Sequence, residues 1–96
     1  MAYEVKWTEP VQDEIHEILG YLLEEWGEKA AENLSEQILK TTELLQNHPY
    51  AGRRHDVLKS VREFRINPHY LLYYTIVESR HEILVLDLVD SRRRNH

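Results

Sequence analysis

Between Arg53 and Arg65 the chain concentrates Arg53, Arg54, His55, Lys59, Arg62 and Arg65, and a tyrosine-rich run, Tyr70-Leu71-Leu72-Tyr73-Tyr74, follows closely. Guanidinium and ammonium groups beside a histidine or a phenol are the ingredients for cleaving an RNA phosphodiester. That reaction needs a base near the attacking 2′-hydroxyl, cations for the charge that develops at phosphorus, and an acid for the leaving oxygen. Arg65, Arg62 and Tyr70 are the candidates for such a site, with Lys59, Arg53, Arg54, His55 and His69 in support. Each has a plainer reading. In a strand, Glu63 and Arg65 share one face and Arg62, Phe64 and Ile66 the other. Arg62 therefore keeps apolar company and reads as a structural arginine paired with a carboxylate, Asp87 or Asp90. Arg65 is the better working cation, or else an exposed strand residue. A loop histidine such as His55 or His69 is more often merely solvated. Arg92, Arg93 and Arg94 form a second basic cluster or a solubilising tail.

Other chemistries find little material. The six histidines show no HxH or HxxxH spacing, and there is no cysteine, so no metal site is expected. Three glycines leave no glycine-rich phosphate loop, and no serine stands in a nucleophile-elbow setting, so no cofactor is expected either.

The elements that must position these residues are legible from periodicity. Val61–Ile66, Tyr70–Val77 and Glu82–Val89 are rich in β-branched and aromatic side chains and are separated by Asn67-Pro68-His69 and Glu78-Ser79-Arg80-His81, the pattern of an antiparallel meander. The middle run is apolar on both faces and reads as the central strand. At the other end, Tyr3, Val5 and Trp7 alternate with Glu4 and Lys6 as a short half-buried strand. Thr8 is the expected N-cap of a helix with Glu9 and Pro10 in its first turn. Val11, Ile15, Ile18, Leu19, Leu22 and Trp26 form its apolar stripe, and Gly27 its C-terminal stop. A second helix over Glu28–Gln46 carries Ala31, Leu34, Ile38 and Leu45, with Thr42 near its end, and stops before Pro49. So short a connection makes an antiparallel helical hairpin, which must lie across one face of the sheet. The expected fold is α+β: an N-terminal strand and a helical hairpin packed on a twisted antiparallel sheet of about four strands.

Ninety-six residues suit one domain, 1–96. No apolar run approaches the roughly 20 residues that span a bilayer, and Met-Ala-Tyr-Glu-Val-Lys-Trp lacks a signal peptide's apolar centre, so the expectation is a soluble, cytoplasmic protein without membrane contact. The formal charge of −5 is divided unevenly. Residues 1–52 hold three basic side chains against eleven acidic (−8); residues 53–96 hold nine against six (+3). An acidic total argues against a protein that grips RNA or DNA phosphates unaided, and sequence-specific DNA binding by this chain alone is not expected. The basic half is where an anionic partner would meet it.

This order of elements resembles the RelE/ParE superfamily of toxins from bacterial type II toxin–antitoxin modules over nearly the whole chain. The resemblance rests on Val5-Lys6-Trp7-Thr8 before a helix, Pro49-Tyr50-Ala51-Gly52-Arg53 after the second helix, Val61-Arg62-Glu63-Phe64, Tyr70-Leu71-Leu72-Tyr73-Tyr74, and a last strand closing on Asp90-Ser91-Arg92-Arg93. It implies a cognate antitoxin, meeting Arg53, Arg54, Arg65, Arg92, Arg93 and Arg94. RelE-like members cut messenger RNA on the ribosome and often carry an arginine directly after the tyrosine that opens the central strand; here that residue is Leu71. ParE-like members, which poison DNA gyrase and serve plasmid stabilisation, commonly have an apolar residue there. The resemblance thus favours the ParE-like branch, with a RelE-like ribonuclease as the alternative. Asp87 and Asp90 stand near where relatives often place cations, which raises a third possibility, a non-toxic binding module on the same fold.

Overall fold

The computed structural model describes residues 2–93. Strand β1 (Glu4–Trp7) leads into helices α1 (Glu9–Trp26) and α2 (Glu28–Asn47), followed by β2 (Arg53–Arg54), β3 (Val61–Asn67), β4 (Tyr70–Val77) and β5 (Glu82–Asp90). Short 3₁₀ turns occupy Pro49–Ala51, Glu78–Arg80 and Ser91–Arg93. The strands form one sheet in the order β1-β5-β4-β3-β2. It has five strands rather than about four, because Arg53 and Arg54 pair with Glu63 and Arg62 as a two-residue edge strand. A strand that short carries no period-2 signal. Nor is the sheet wholly antiparallel: β1 runs parallel to β5, Val5 beside Ile83 and Trp7 beside Val85. Alternation reveals which face a side chain takes, not which way its strand runs.

Both helices behave as their stripes require. Val11, Leu34 and Leu45 are buried against Leu72, Tyr74, Ile83, Val85 and Leu88, with Val5, Trp7, Ile15, Ile18, Leu19, Leu22, Ile38 and Phe64 packed around them. Burying each such aliphatic side chain contributes about 1.5–3 kcal/mol. Gly27 adopts φ 93° and donates its N–H to the Leu23 carbonyl, ending α1 and opening α2 in one residue. Trp26 departs from the stripe and is 71% exposed. Thr8 holds the N-cap position without a side-chain bond; Gln12 instead donates Nε2 to the Trp7 carbonyl.

Tyr74, on the central strand, fixes how the chain passes from α2 into the sheet. Its ring is fully buried, and its hydroxyl donates to the Pro49 carbonyl at 2.7 Å and accepts the Gly52 N–H at 2.9 Å. Gly52 is required there by space, not by its dihedrals: a Cβ would stand 2.5 Å from the Tyr74 hydroxyl oxygen and 2.9 Å from the Glu63 carbonyl. Tyr74→Phe leaves a buried donor and acceptor unpaired and should lower unfolding free energy by about 1–3 kcal/mol in chemical denaturation. Gly52→Ala should destabilise too, since rigid backbone forms part of the clash; wild-type stability in both variants would refute this account of the loop.

Candidate functional site

The nuclease candidates do not converge. Arg62 lies opposite Tyr74, while Tyr70 lies opposite Asn67 and Asp90, four residues along β4. At ~3.3 Å per residue the two positions are about 13 Å apart. Arg65 pairs with Leu71, on the sheet face opposite to Arg62. No single phosphodiester can engage all three at hydrogen-bond range.

Four of the cations, moreover, already have intramolecular work. Arg62 does not pair with Asp87 or Asp90, as its apolar company suggested. Its Nη1 donates to the Gly52 carbonyl at 2.7 Å, and its guanidinium lies 5.0 Å from the Tyr50 ring centroid, so it clamps the Pro49–Gly52 turn that Tyr74 holds from beneath. The sequence could not supply that partner because backbone carbonyls have no signature. Arg65, expected as the freer cation, donates Nη1 to the Pro68 carbonyl at 2.9 Å and lies 3.4 Å from Ser91 Oγ, fastening the β3–β4 turn to the residue after β5. Arg53 pairs with Glu63 at 2.8 Å and Asp56 at 3.8 Å; the Glu63 hydrogen bond raises its pKa above the ordinary arginine value. Arg92 donates Nε and Nη2 to the two oxygens of Asp90, at 3.0 and 2.9 Å. The Arg54 side chain is exposed, with no hydrogen bond or ion pair among the described residues. Arg94 lies outside the described residues, as does the side chain of Arg93. His55 accepts the N–H groups of Val57 and Leu58 on Nδ1 and meets Tyr73 edge to face, which makes it a turn-former. Tyr70 is buried, and burial pushes its phenol above the usual tyrosine value, with the negative charge of Asp90 adding to the effect.

Two constellations were not visible in the sequence. The first is a groove of about 760 Å³ between α1 and the end of β5, lined by Glu14, Glu17, Tyr21, Tyr70, Asp87 and Asp90 among others. Glu14 there is pushed up to about 7, first by a hydrogen bond with Asp87, then by burial and the Asp87 charge. The second lies at the opposite end of β4. Glu78 Oε1 accepts the Tyr3 hydroxyl at 2.9 Å, Oε2 accepts the Tyr50 hydroxyl, and His81 stacks on Tyr3 with centroids 3.8 Å apart. His81 holds the left-handed conformation, φ 55°, that closes the β4–β5 turn. Only the fold brings residues 3, 50 and 78 together, so no spacing rule could have found them. Among the described residues, no three His, Asp or Glu side chains are grouped as a metal ion would need, and no helix is long and apolar enough to cross a membrane.

Solved structures that share this arrangement include the following three. The chromosomal ParDE toxin–antitoxin system of P. aeruginosa matches at TM-score 0.76 and 20% identity, covering 93% of this chain and 96% of that one. The RelBE2 toxin–antitoxin complex of Mycobacterium tuberculosis matches at TM-score 0.68 and 16% identity, covering 94% and 99%. A double mutant of E. coli toxin RelE in the free state matches at TM-score 0.68 and 16% identity, covering 95% and 85%. No curated protein matches at a significant level. The hairpin laid on a five-stranded sheet is thus the fold seen in RelE and ParE structures. The sequence pattern of one family, described as the ParE toxin of the type II toxin–antitoxin system parDE, matches residues 5–95, and the chain belongs to that family.

The Glu78 cluster makes a pH prediction. The Tyr50 and Tyr3 hydrogen bonds hold the Glu78 carboxyl below its usual value of 4.5. A depressed folded-state pKa contributes stability that is present above the unfolded value and is lost as pH falls through the folded one. Thermal melts of the wild type should therefore fall more steeply below pH 4.5 than those of Glu78→Gln; parallel acid limbs would contradict this.

Proposed function

We propose that this type II toxin acts by binding DNA gyrase, without covalent chemistry of its own, and is held in check by a cognate antitoxin. The observation that carries the reading is the dispersal of Arg62, Arg65 and Tyr70: two sheet faces, two ends of β4, and two guanidinium groups already donating to backbone carbonyls. Leu71 supports it, being buried and apolar where RelE-like relatives often present an arginine. The acidic total of −5 also suits a protein target better than a polyphosphate one. The antitoxin is proposed to meet the basic half, at Arg53, Arg54, Arg65 and the carboxy-terminal arginines. Arg54 is the most available of these, and coupled folding of an acidic tail over it is physically reasonable.

Pulse incorporation of labelled thymidine and labelled methionine, minutes after induction of the chain without antitoxin, tests the reading in cells. DNA synthesis should fall first. If protein synthesis falls first, the toxin acts on translation and the cations from Arg53 to Arg65 become the catalytic candidates. If neither falls while the protein is folded, the chain is a binding module on a toxin scaffold.

A further inference from the structure

The connection between β2 and β3, residues 55–60, holds two adjacent aliphatic side chains in water. Val57 is 77% exposed, barer than Trp26, and Leu58 is 57% exposed. Neither belongs to the core or packs on it. One exposed aliphatic side chain is ordinary. Here there are two, on a loop whose shape is fixed by its own hydrogen bonds. His55 donates its N–H to the Val61 carbonyl at 2.8 Å, and Val61 donates its own to the Leu58 carbonyl at 2.9 Å. His55 Nδ1 accepts the N–H groups of Val57 and Leu58 at 3.1 and 3.0 Å. The same ring meets Tyr73 of β4 edge to face, 5.8 Å between centroids, and Thr75 Oγ1 of β4 donates to the Ser60 carbonyl at 2.7 Å. The tip is thus anchored to the central strand while its apolar side chains stay bare. A segment already fixed in shape loses little conformational freedom when it binds.

Charge selects what such a tip can enter. Arg54 and Lys59 flank it, both exposed and without a hydrogen bond or ion pair among the described residues. Asp56, the one carboxylate between them, lies 3.8 Å from Arg53. We propose that this tip is the surface by which the toxin grips its protein target: Val57 and Leu58 fill an apolar pocket on DNA gyrase, and Arg54 and Lys59 meet carboxylates on the rim of that pocket. The inference rests on the gyrase reading and adds to it the residues that do the binding. His55 is a positioning residue, acting through the two N–H groups it holds. Rim charges of this kind steer encounter and exclude basic partners, while the buried aliphatic pair supplies the affinity.

The test titrates supercoiling by purified DNA gyrase with the purified full chain and with the double variant Val57→Ser, Leu58→Ser. Both side chains are bare, so the double variant should melt as the wild type does. Its half-inhibiting concentration should rise about ten- to hundredfold. His55→Ala, which frees the loop, should weaken inhibition too; His55→Asn, whose side-chain oxygen can accept the same N–H groups, should keep most of it. Lys59→Glu should weaken inhibition most at low salt, where exposed charges are least screened. Equal inhibition by the wild type and the double variant would overturn the proposal and leave the gyrase reading standing. No inhibition by the folded wild type would overturn both. If the double variant inhibits fully but loses self-association or capture by the antitoxin, the tip belongs to that other partner and the proposal falls.

Discussion

The hydroxyl of Tyr74 is the interaction on which the rest of this molecule depends. It sits on the middle strand of the sheet, at the centre of the core, and burial pushes its pKa above the usual tyrosine value. A polar atom so placed needs partners, and it takes one acceptor and one donor from the same turn, Pro49 and Gly52. That bond pair ties the exit of α2 to the sheet, and Arg62 closes the turn from the side through the Gly52 carbonyl. β2 begins at the next residue. With only Arg53 and Arg54 in its ladder, it has little cohesion of its own, and it holds its edge position because the preceding turn is anchored.

A second consequence concerns charge. The sequence presents a basic half, yet four of its guanidinium groups hold the chain's own elements together: Arg62 the turn before β2, Arg65 the β3–β4 turn, Arg53 the β2–β3 pair, and Arg92 the residue that ends β5. Surface pairs such as these contribute little stability individually, but they fix where the positive charge points. What remains for a partner is shape and apolar surface with a few free cations.

Much of the architecture was legible beforehand, and the misses share a cause. Long periodic segments announced α1, α2 and the three-strand meander within a residue or two, because the 3.6 and 2.0 periods reflect which face is buried. Trp26 completes the apolar period of α1 but is exposed, since periodicity gives no account of where a helix outruns the sheet beneath it. β2 was invisible because two residues have no period. The site was less readable still. Arg62 was rightly placed with apolar neighbours, but its acceptors are carbonyls of a turn ten residues away. Glu14 looked like part of a solvated helix face, but the fold sets it in a groove that Asp87 of β5 also lines. Residue type and spacing reveal faces; partners across the fold come from topology.

On the proposed reading, the scaffold held by Tyr74 presents a surface for a protein target, with Arg62, Arg65 and Tyr70 kept apart. A supercoiling assay with purified DNA gyrase and the purified chain tests it most directly, run beside a ribosome-programmed messenger RNA cleavage assay with the same preparation. The account predicts that gyrase loses supercoiling activity while the messenger RNA stays intact. Undiminished supercoiling together with cleaved messenger RNA would contradict it.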